Sequence, residues 1–191
     1  MQMNRRNVIV GLGTIVAGGG AALGSGAFSQ TAASRDLEVN VVTDSDIAAE
    51  FVDIVLRGVD DIDSVAVDGE DATSQFPDSG DDYGNSDFEP SDSDVSLMQN
   101  DVTIVFGPEG NALPPNSTIE YDDLITVVND EGDVEQNFQV TFEVTGGTDL
   151  TFSPSESTVE VNETQDIDVD VNTSDQDTSS GTLTITIEEQ N

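Results

Sequence analysis

The sequence has 191 residues, of which 40 are acidic and only four are basic, so its formal net charge is −36. It contains no histidine, lysine, cysteine or tryptophan. These absences exclude the Ser-His-Asp triad, thiol catalysis and ordinary zinc sites. An acidic surface also repels phosphate backbones, so we expect no nucleic-acid partner.

A short basic segment precedes an apolar, glycine-rich run over residues 8–28. The adjacent Arg5 and Arg6, followed by this run, resemble the signal for export by the twin-arginine route. We therefore predict a leader over residues 1–34 that binds the export machinery and is cleaved within 27–34. The alternative is an uncleaved membrane anchor, since about 21 apolar residues are just enough to span a bilayer. Either way, we expect an extracellular or cell-surface protein that contacts the membrane only through an uncleaved leader.

Removal of this leader makes the charge of the remaining chain more negative. Every acid follows residue 35, and only Arg35 and Arg57 remain against the 40 acids, which gives −38. Such a charge with few aromatic residues is typical either of disorder or of a protein folded in very high salt, where the Debye length is about 3 Å at 1 M. The strand pattern favours the second interpretation, a folded halophilic protein.

Apolar and polar residues alternate with period two along much of the chain after residue 35. The clearest case is 134–145, where Phe138, Val140 and Phe142 alternate with polar residues. The other predicted strands cover residues 36–43, 51–56, 101–106, 118–128, 158–161, 165–171 and 181–187. Strand 118–128 changes phase at Asp122 and Asp123, which predicts a β-bulge.

Turn residues at 129–132 and 146–147 lie between predicted strands at hairpin spacing. No amphipathic helix is predicted after residue 58. We therefore predict an all-β fold, an antiparallel β-sandwich of the Ig-like or jelly-roll-like kind, formed by a single domain over residues 35–191.

Residues 68–94 form an acidic low-complexity segment that we expect to be a long loop. It should be ordered only where its aromatic residues dock or where cations neutralise its charge. Close-set carboxylates beside glycines suit Ca²⁺ or another hard cation, and no other cofactor is expected. The candidate ligands are Asp78, Asp81, Asp82, Asp87 and Glu89. The alternative is a solvated acidic surface of a halophilic protein.

Three Asn-x-Ser/Thr sequences are candidate N-glycosylation sites in an exported chain. They begin at Asn116, Asn162 and Asn172.

The first predicted strand, residues 36–43, lies next to the predicted cleavage region. It is a candidate donor strand that completes the sheet of a neighbouring subunit, with Leu37, Val39 and Val41 in the neighbour's pockets. The alternative is an ordinary edge strand of its own domain.

Two motifs resemble those of known exported proteins. The leader contains Asn4-Arg5-Arg6, Gly11-Leu12-Gly13 and Ala27-Phe28-Ser29. The second motif contains Pro114-Pro115-Asn116-Ser117-Thr118 and Thr126-Val127-Val128-Asn129. Together they resemble a haloarchaeal family of exported proteins of unknown function, over most of the chain. The leader and the strand after it are also similar to biofilm-matrix fibre proteins of the TasA/camelysin type. This resemblance implies a secreted, non-enzymatic β-sandwich.

These observations predict a secreted or cell-surface structural or interaction protein of a halophile. It is a candidate matrix or fibre subunit that associates with itself or with other envelope proteins. The alternative is a calcium-, cation- or ligand-binding β-sandwich module. Pairs of carboxylates are the catalytic groups of glycoside hydrolases, but such sites also need aromatic side chains on which sugars stack. This sequence has no tryptophan and only two tyrosines, so we expect that it is not an enzyme.

Overall fold

The computed structural model describes residues 33–43, 48, 51–68, 83–98, 102–130, 135–146, 149–173 and 178–190. The leader predicted over residues 1–34 lies outside these ranges, apart from Ala33 and Ser34. The described residues all belong to one unit, residues 32–191. Within the described ranges, no helix is long and apolar enough to cross a membrane.

The regular structure of the described residues consists of eleven strands, one short 3-10 turn (Val59–Asp61) and the helical residues Ala48 and Phe51 between β1 and β2. The strands are β1 (Arg35–Thr43), β2 (Val52–Leu56), β3 (Val65–Asp68), β4 (Val95–Ser96), β5 (Thr103–Phe106), β6 (Thr118–Asn129), β7 (Asn137–Gly146), β8 (Leu150–Ser153), β9 (Glu156–Val159), β10 (Thr164–Asn172) and β11 (Ser179–Gln190).

Two sheets form a sandwich, and consecutive strands always lie in opposite sheets. The larger sheet has the order β3-β5-β1-β11-β7-β9, and the smaller has the order β4-β2-β6-β10-β8. The odd-numbered strands therefore build one layer and the even-numbered strands the other. The predicted all-β sandwich is confirmed, with one parallel pair, β1 and β11, among the antiparallel ones.

The turns at 129–132 and 146–147 do not close hairpins, so that prediction was wrong. β6 pairs with β2 and β10, whereas β7, which follows it, pairs with β11 and β9. Turn residues reverse the chain but do not determine which strand the next one pairs with. Here each strand lies in the sheet opposite to that of the strand before it, and its apolar face packs against that other sheet. Because an Ig sandwich keeps several consecutive strands in one sheet, this wiring is nearer to a jelly roll.

β1 is an interior strand, which corrects the interpretation of it as an edge strand. It pairs in parallel with β11 over nine residues, from Arg35 opposite Ser179 to Thr43 opposite Ile187. On its other side it pairs antiparallel with β5. The edges of this sheet are the four-residue strands β3 and β9, and such short edges offer few unpaired backbone groups to other chains.

The predicted inward residues of β7 form part of the core between the sheets. Phe138 and Val140 are fully buried, and Phe142 is 5% exposed. Phe142 also stacks on Phe152 of β8 across the sandwich, with ring centroids 5.6 Å apart. Alternation with period two therefore identified the buried face of this strand correctly.

The predicted bulge in β6 is confirmed. Ile167 lies opposite Ile125 and Val169 opposite Tyr121, so three residues of β6 face one residue of β10. Asp123 has a φ of 51°, and its N–H donates to the carboxylate of Asp168 at 2.9 Å. The carboxylate oxygen of Asp168 accepts the hydrogen bond of a backbone N–H group that has no main-chain partner in the bulge.

Three strands were not predicted from the sequence: β3, β4 and β8. They have two to four residues each. A period of two cannot be recognised reliably over so few positions, and these strands are fixed by pairing with longer neighbours.

The chain enters β1 through a close backbone contact with Gly107. Ala33 is fully buried, and its carbonyl oxygen accepts a hydrogen bond from Leu113 N–H at 3.1 Å. A Cβ atom on Gly107 would lie only 2.5 Å from that oxygen. Gly107 also has a φ of 78°, so both its backbone and its surroundings require glycine.

We expect Gly107→Ala to destabilise the protein more than Gly110→Ala. Both glycines have positive φ, and strain should cost each variant about 1 kcal/mol. Only Gly107 meets other atoms, since a Cβ on Gly110 finds nothing within 4 Å, so we expect about 1–3 kcal/mol more for Gly107→Ala. Urea unfolding in molar salt measures both, and equal losses would contradict the close contact at Ala33.

Candidate functional site

β1 fills a slot between β5 and β11 in the larger sheet. Leu37 is fully buried and Val39 is 6% exposed, while Val41 is partly buried against the same core. The alternate residues Glu38 and Asn40 are exposed. The structure thus places all three candidate donor-strand residues on the inner face of β1, where they fill the space between the sheets.

Arg35 anchors the start of β1 and is almost completely buried, with 2% of its surface exposed. Its guanidinium donates to the carbonyl oxygens of Ser34 at 3.0 Å and of Asn172 at 3.2 Å. Asn172 ends β10 in the smaller sheet, so this one side chain joins the two layers. The bond also sets the position of β1 along its slot, because a shifted strand would move the buried charge away from these acceptors.

The described part of the acidic segment, from residue 83 onward, docks through its aromatic residues. Tyr83 and Phe88 are buried and contact edge-to-face, with ring centroids 4.8 Å apart. With Val55 and Val128 they form a small second core. The guanidinium of Arg57 lies 4.8 Å from the centre of the Phe88 ring, which adds a cation–π contact.

Asp53 of β2 is fully buried under this segment. Its carboxylate accepts hydrogen bonds from the hydroxyl of Tyr83 at 2.5 Å, the hydroxyl of Ser96 at 2.6 Å and Ile54 N–H at 2.7 Å. Burial raises the pKa of Asp53 above its ordinary value of 3.8, and these three hydrogen bonds offset part of the rise. Burial and the charge of Asp53 also raise the pKa of Tyr83, so its hydroxyl keeps its proton and remains a donor.

Two further buried aspartates hold the same segment. Asp94 is 1% exposed and accepts bonds from Gly58 N–H at 2.7 Å and Ser91 N–H at 2.9 Å. It also forms an ion pair with Arg57, whose Nε lies 3.1 Å from Oδ2. Asp130 is 4% exposed and accepts bonds from three successive N–H groups. They belong to Gly84, Asn85 and Ser86, at 3.2, 2.9 and 2.5 Å. The carboxylates of Asp53, Asp94 and Asp130 therefore hold the segment in place by hydrogen bonds.

The candidate cation ligands are not brought together within the described residues. Asp87 and Glu89 are exposed on the docked segment, while Asp78, Asp81 and Asp82 lie outside the described residues. Across the described ranges, no three acidic side chains converge in a way that would hold a metal ion. The cation site remains a prediction.

The three candidate glycosylation sites differ in their surroundings. Asn116 is exposed in the turn before β6, and Asn172 is exposed at the end of β10. Asn162 is half-buried in the turn before β10. Asn116 and Asn172 lie at the same end of the smaller sheet, since Asn172 pairs with Thr118, and Asn162 lies at the other end of β10.

Sequence reasoning did not identify Arg35, Asp53, Asp94 or Asp130 as buried groups. A signal was present for Asp53, which is a single carboxylate inside the apolar strand β2. Nothing similar marked Asp94 or Asp130, which are surrounded by other acids and turn residues in the sequence. Arg35 was counted only as one of two remaining positive charges.

We expect the Asp53→Asn variant to gain stability relative to the native protein as the pH rises from about 4 towards neutrality. Since the pKa of Asp53 is raised on folding, the folded native protein binds more protons than the unfolded chain in this range, and its stability falls with pH. Asparagine removes that dependence, so the difference in unfolding free energy should grow by about 1 kcal/mol or more. Other carboxylates titrate in both proteins and cancel in the difference. A pH-independent difference, measured by urea unfolding in molar salt, would contradict the raised pKa of Asp53.

Comparisons with known proteins give a weak structural similarity. No protein-family model and no curated protein matches the chain. Among solved structures, the major pilin from Streptococcus pyogenes aligns over 82% of this chain, with 11% identity and a TM-score of 0.26. The alignment covers 48% of the pilin, so this chain spans about half of that protein's length. A TM-score this low carries no argument about either fold or function.

Proposed function

We propose that this protein is an exported structural subunit at the surface of a halophilic cell, and that subunits assemble by exchanging β1. The observation that carries the proposal is the place of β1 in the fold. It is the first strand described, yet it lies in the middle of the larger sheet, between β5 and β11.

Without β1, the larger sheet would be divided into β3–β5 on one side and β11–β7–β9 on the other. The inner face would lose Leu37 and Val39, and main-chain groups of β5 and β11 would lose their partners. Exposing buried apolar side chains and unpaired backbone groups is costly, so the slot must hold a strand. The β1 of a second copy makes the same contacts as the protein's own β1.

The connection after β1 allows this exchange. Residues 44–51 separate β1 from β2, which begins at Val52 in the other sheet. Eight residues can span about 27 Å when extended, enough for β1 to leave its own slot for that of a neighbouring subunit. Full extension would withdraw Ala48, which is buried in the core, so this side chain leaves the core when β1 is exchanged. If each subunit gives β1 to one neighbour and receives it from another, exchange joins subunits head to tail into an open chain, whereas reciprocal exchange closes a dimer.

The charge of the protein supports assembly in salt. Subunits with a charge of −38 after the leader repel one another in dilute buffer, whereas molar salt screens charges beyond about 3 Å. The contacts of the exchanged strand are main-chain hydrogen bonds and apolar packing, and neither is weakened by salt screening.

A pair of cysteines across β1 and β5 tests the exchange, because the native chain contains none. Glu38 lies opposite Thr103, and the bond from Val39 N–H to the Val102 carbonyl makes 38 and 103 a non-hydrogen-bonded pair. Such pairs have Cα atoms about 4.5 Å apart, which suits a disulfide. We expect the Glu38→Cys/Thr103→Cys variant, assembled in molar salt and oxidised, to give a ladder of covalent oligomers on a non-reducing gel.

The control is Glu143→Cys/Thr184→Cys, which bridges β7 and β11 without involving β1. This is a hydrogen-bonded pair, because Phe142 N–H points towards β9, and its Cα separation of about 5.5 Å also lies within the range of disulfides. It should form its disulfide within each chain and run as a monomer. If the Glu38→Cys/Thr103→Cys variant is also entirely monomeric, at concentrations where electron microscopy shows assemblies, exchange of β1 is wrong. If no assemblies form at any concentration, the proposal of a structural subunit is wrong as well.

A further inference from the structure

The two Asn-x-Thr sequences, at Asn116 and Asn162, share their motif and their backbone conformation but differ in how far the asparagine side chain is exposed. We propose that Asn116 is the N-glycosylation site of the folded protein and that Asn162 is not, an inference that rests on the export proposed above. Both asparagines are followed by threonine two positions later, at Thr118 and Thr164, and both threonines are exposed. Both asparagines have positive φ, 54° and 60°, so neither motif nor backbone separates them.

The side-chain amide distinguishes the two. Asn116 is exposed, and its side chain makes no hydrogen bond to any residue that the structure describes. Its backbone N–H donates to the Thr173 carbonyl at 2.7 Å, so the turn is held while the side chain projects into solvent. Asn162 is half-buried, and its Oδ1 atom is buried without a hydrogen-bond partner among the described residues. A transferase must enclose the whole side-chain carboxamide, and of these two asparagines only Asn116 has its carboxamide exposed.

Asn172 is exposed but is held in an extended strand. Its N–H donates to the Asp149 carbonyl at 2.8 Å, and its carbonyl accepts the bond from buried Arg35. Bending this peptide into an enzyme would break both bonds and disturb the contact that joins the two sheets. Asn116 instead lies in the turn before β6, which begins at Thr118, so its side chain is exposed outside the strand while the backbone bond to Thr173 holds the turn.

The reaction that modifies Asn116 forms one bond and breaks one. Nδ2 of Asn116 attacks the anomeric carbon of an oligosaccharide carried on a lipid phosphate. The bond between that carbon and the phosphate oxygen breaks, and the lipid phosphate leaves with the electron pair. Nδ2 loses one proton to a base of the transferase, and the product is a glycan joined to Asn116 through a neutral amide nitrogen.

The position of Asn116 relates the glycan to β1. Leu113, three residues before Asn116, pairs with Ala33 at the entrance of the β1 slot. A glycan on Asn116 therefore lies at the end of the sandwich where the chain enters β1. In an assembly built by strand exchange, it lies beside the joint between subunits.

The test expresses the full chain, with its own leader, in a halophilic archaeal host that N-glycosylates its surface proteins. Protein recovered from the surface and medium is measured by intact mass and by glycopeptide mass spectrometry. We expect one glycan, on the peptide that contains Asn116. Asn116→Gln should abolish it, and the matched control Asn162→Gln should leave the glycan mass unchanged.

Each other result overturns the inference. Exported protein with Asn116 unmodified, or with a glycan on Asn162 or Asn172 instead, contradicts it while leaving the proposed surface role intact. Full retention of the protein inside the cell contradicts export, and both proposals then fail. Circular dichroism of the Asn116→Gln variant in molar salt confirms that a lost glycan is not the result of a lost fold.

Discussion

The structure depends on how a chain with almost no positive charge satisfies carboxylates that it buries. Asp53, Asp94 and Asp130 are each less than 5% exposed. Together they accept eight hydrogen bonds, all from backbone N–H or hydroxyl groups, and Asp94 also forms an ion pair with Arg57. Hydrogen bonds to charged groups are worth about 1.5–3 kcal/mol each, and buried ones are little screened by salt. Segment 83–98 is therefore held by interactions that brine does not weaken.

The alternation of strands between two layers gives β1 its importance. No consecutive pair of described strands lies in one sheet, so the strands that pair within each layer are always separated by at least one strand of the other layer. Arg35 and Ala33 fix one end of β1, and the apolar residues of its inner face fill the core. A strand fixed in this way by position and register has the same partners whichever copy supplies it, and the proposed assembly rests on this property.

The buried face of each strand could be predicted from the sequence better than the strands with which it pairs. Alternation placed Phe138 and Val140 inside, and the phase change at Asp123 located the bulge, because both are local patterns. The pairing of β1 with β11 has no local signal, and turn residues suggested hairpins where the chain crosses between layers. Among the buried charges, only Asp53 was marked by its apolar neighbours. Arg35 could not be found, because its acceptor in β10 is distant in the sequence.

The parallel pairing of β1 with β11 also determines when the protein can finish folding. The hydroxyls of Ser34 and Thr178 lie 3.4 Å apart at the start of these strands, yet the two residues are 144 positions apart. A ribosome adding about 5–20 residues per second needs on the order of 10 s to make that stretch. Throughout this time the main-chain groups of β1 lack their partners in β11. The centre of the larger sheet is thus among the first parts synthesised and among the last to close.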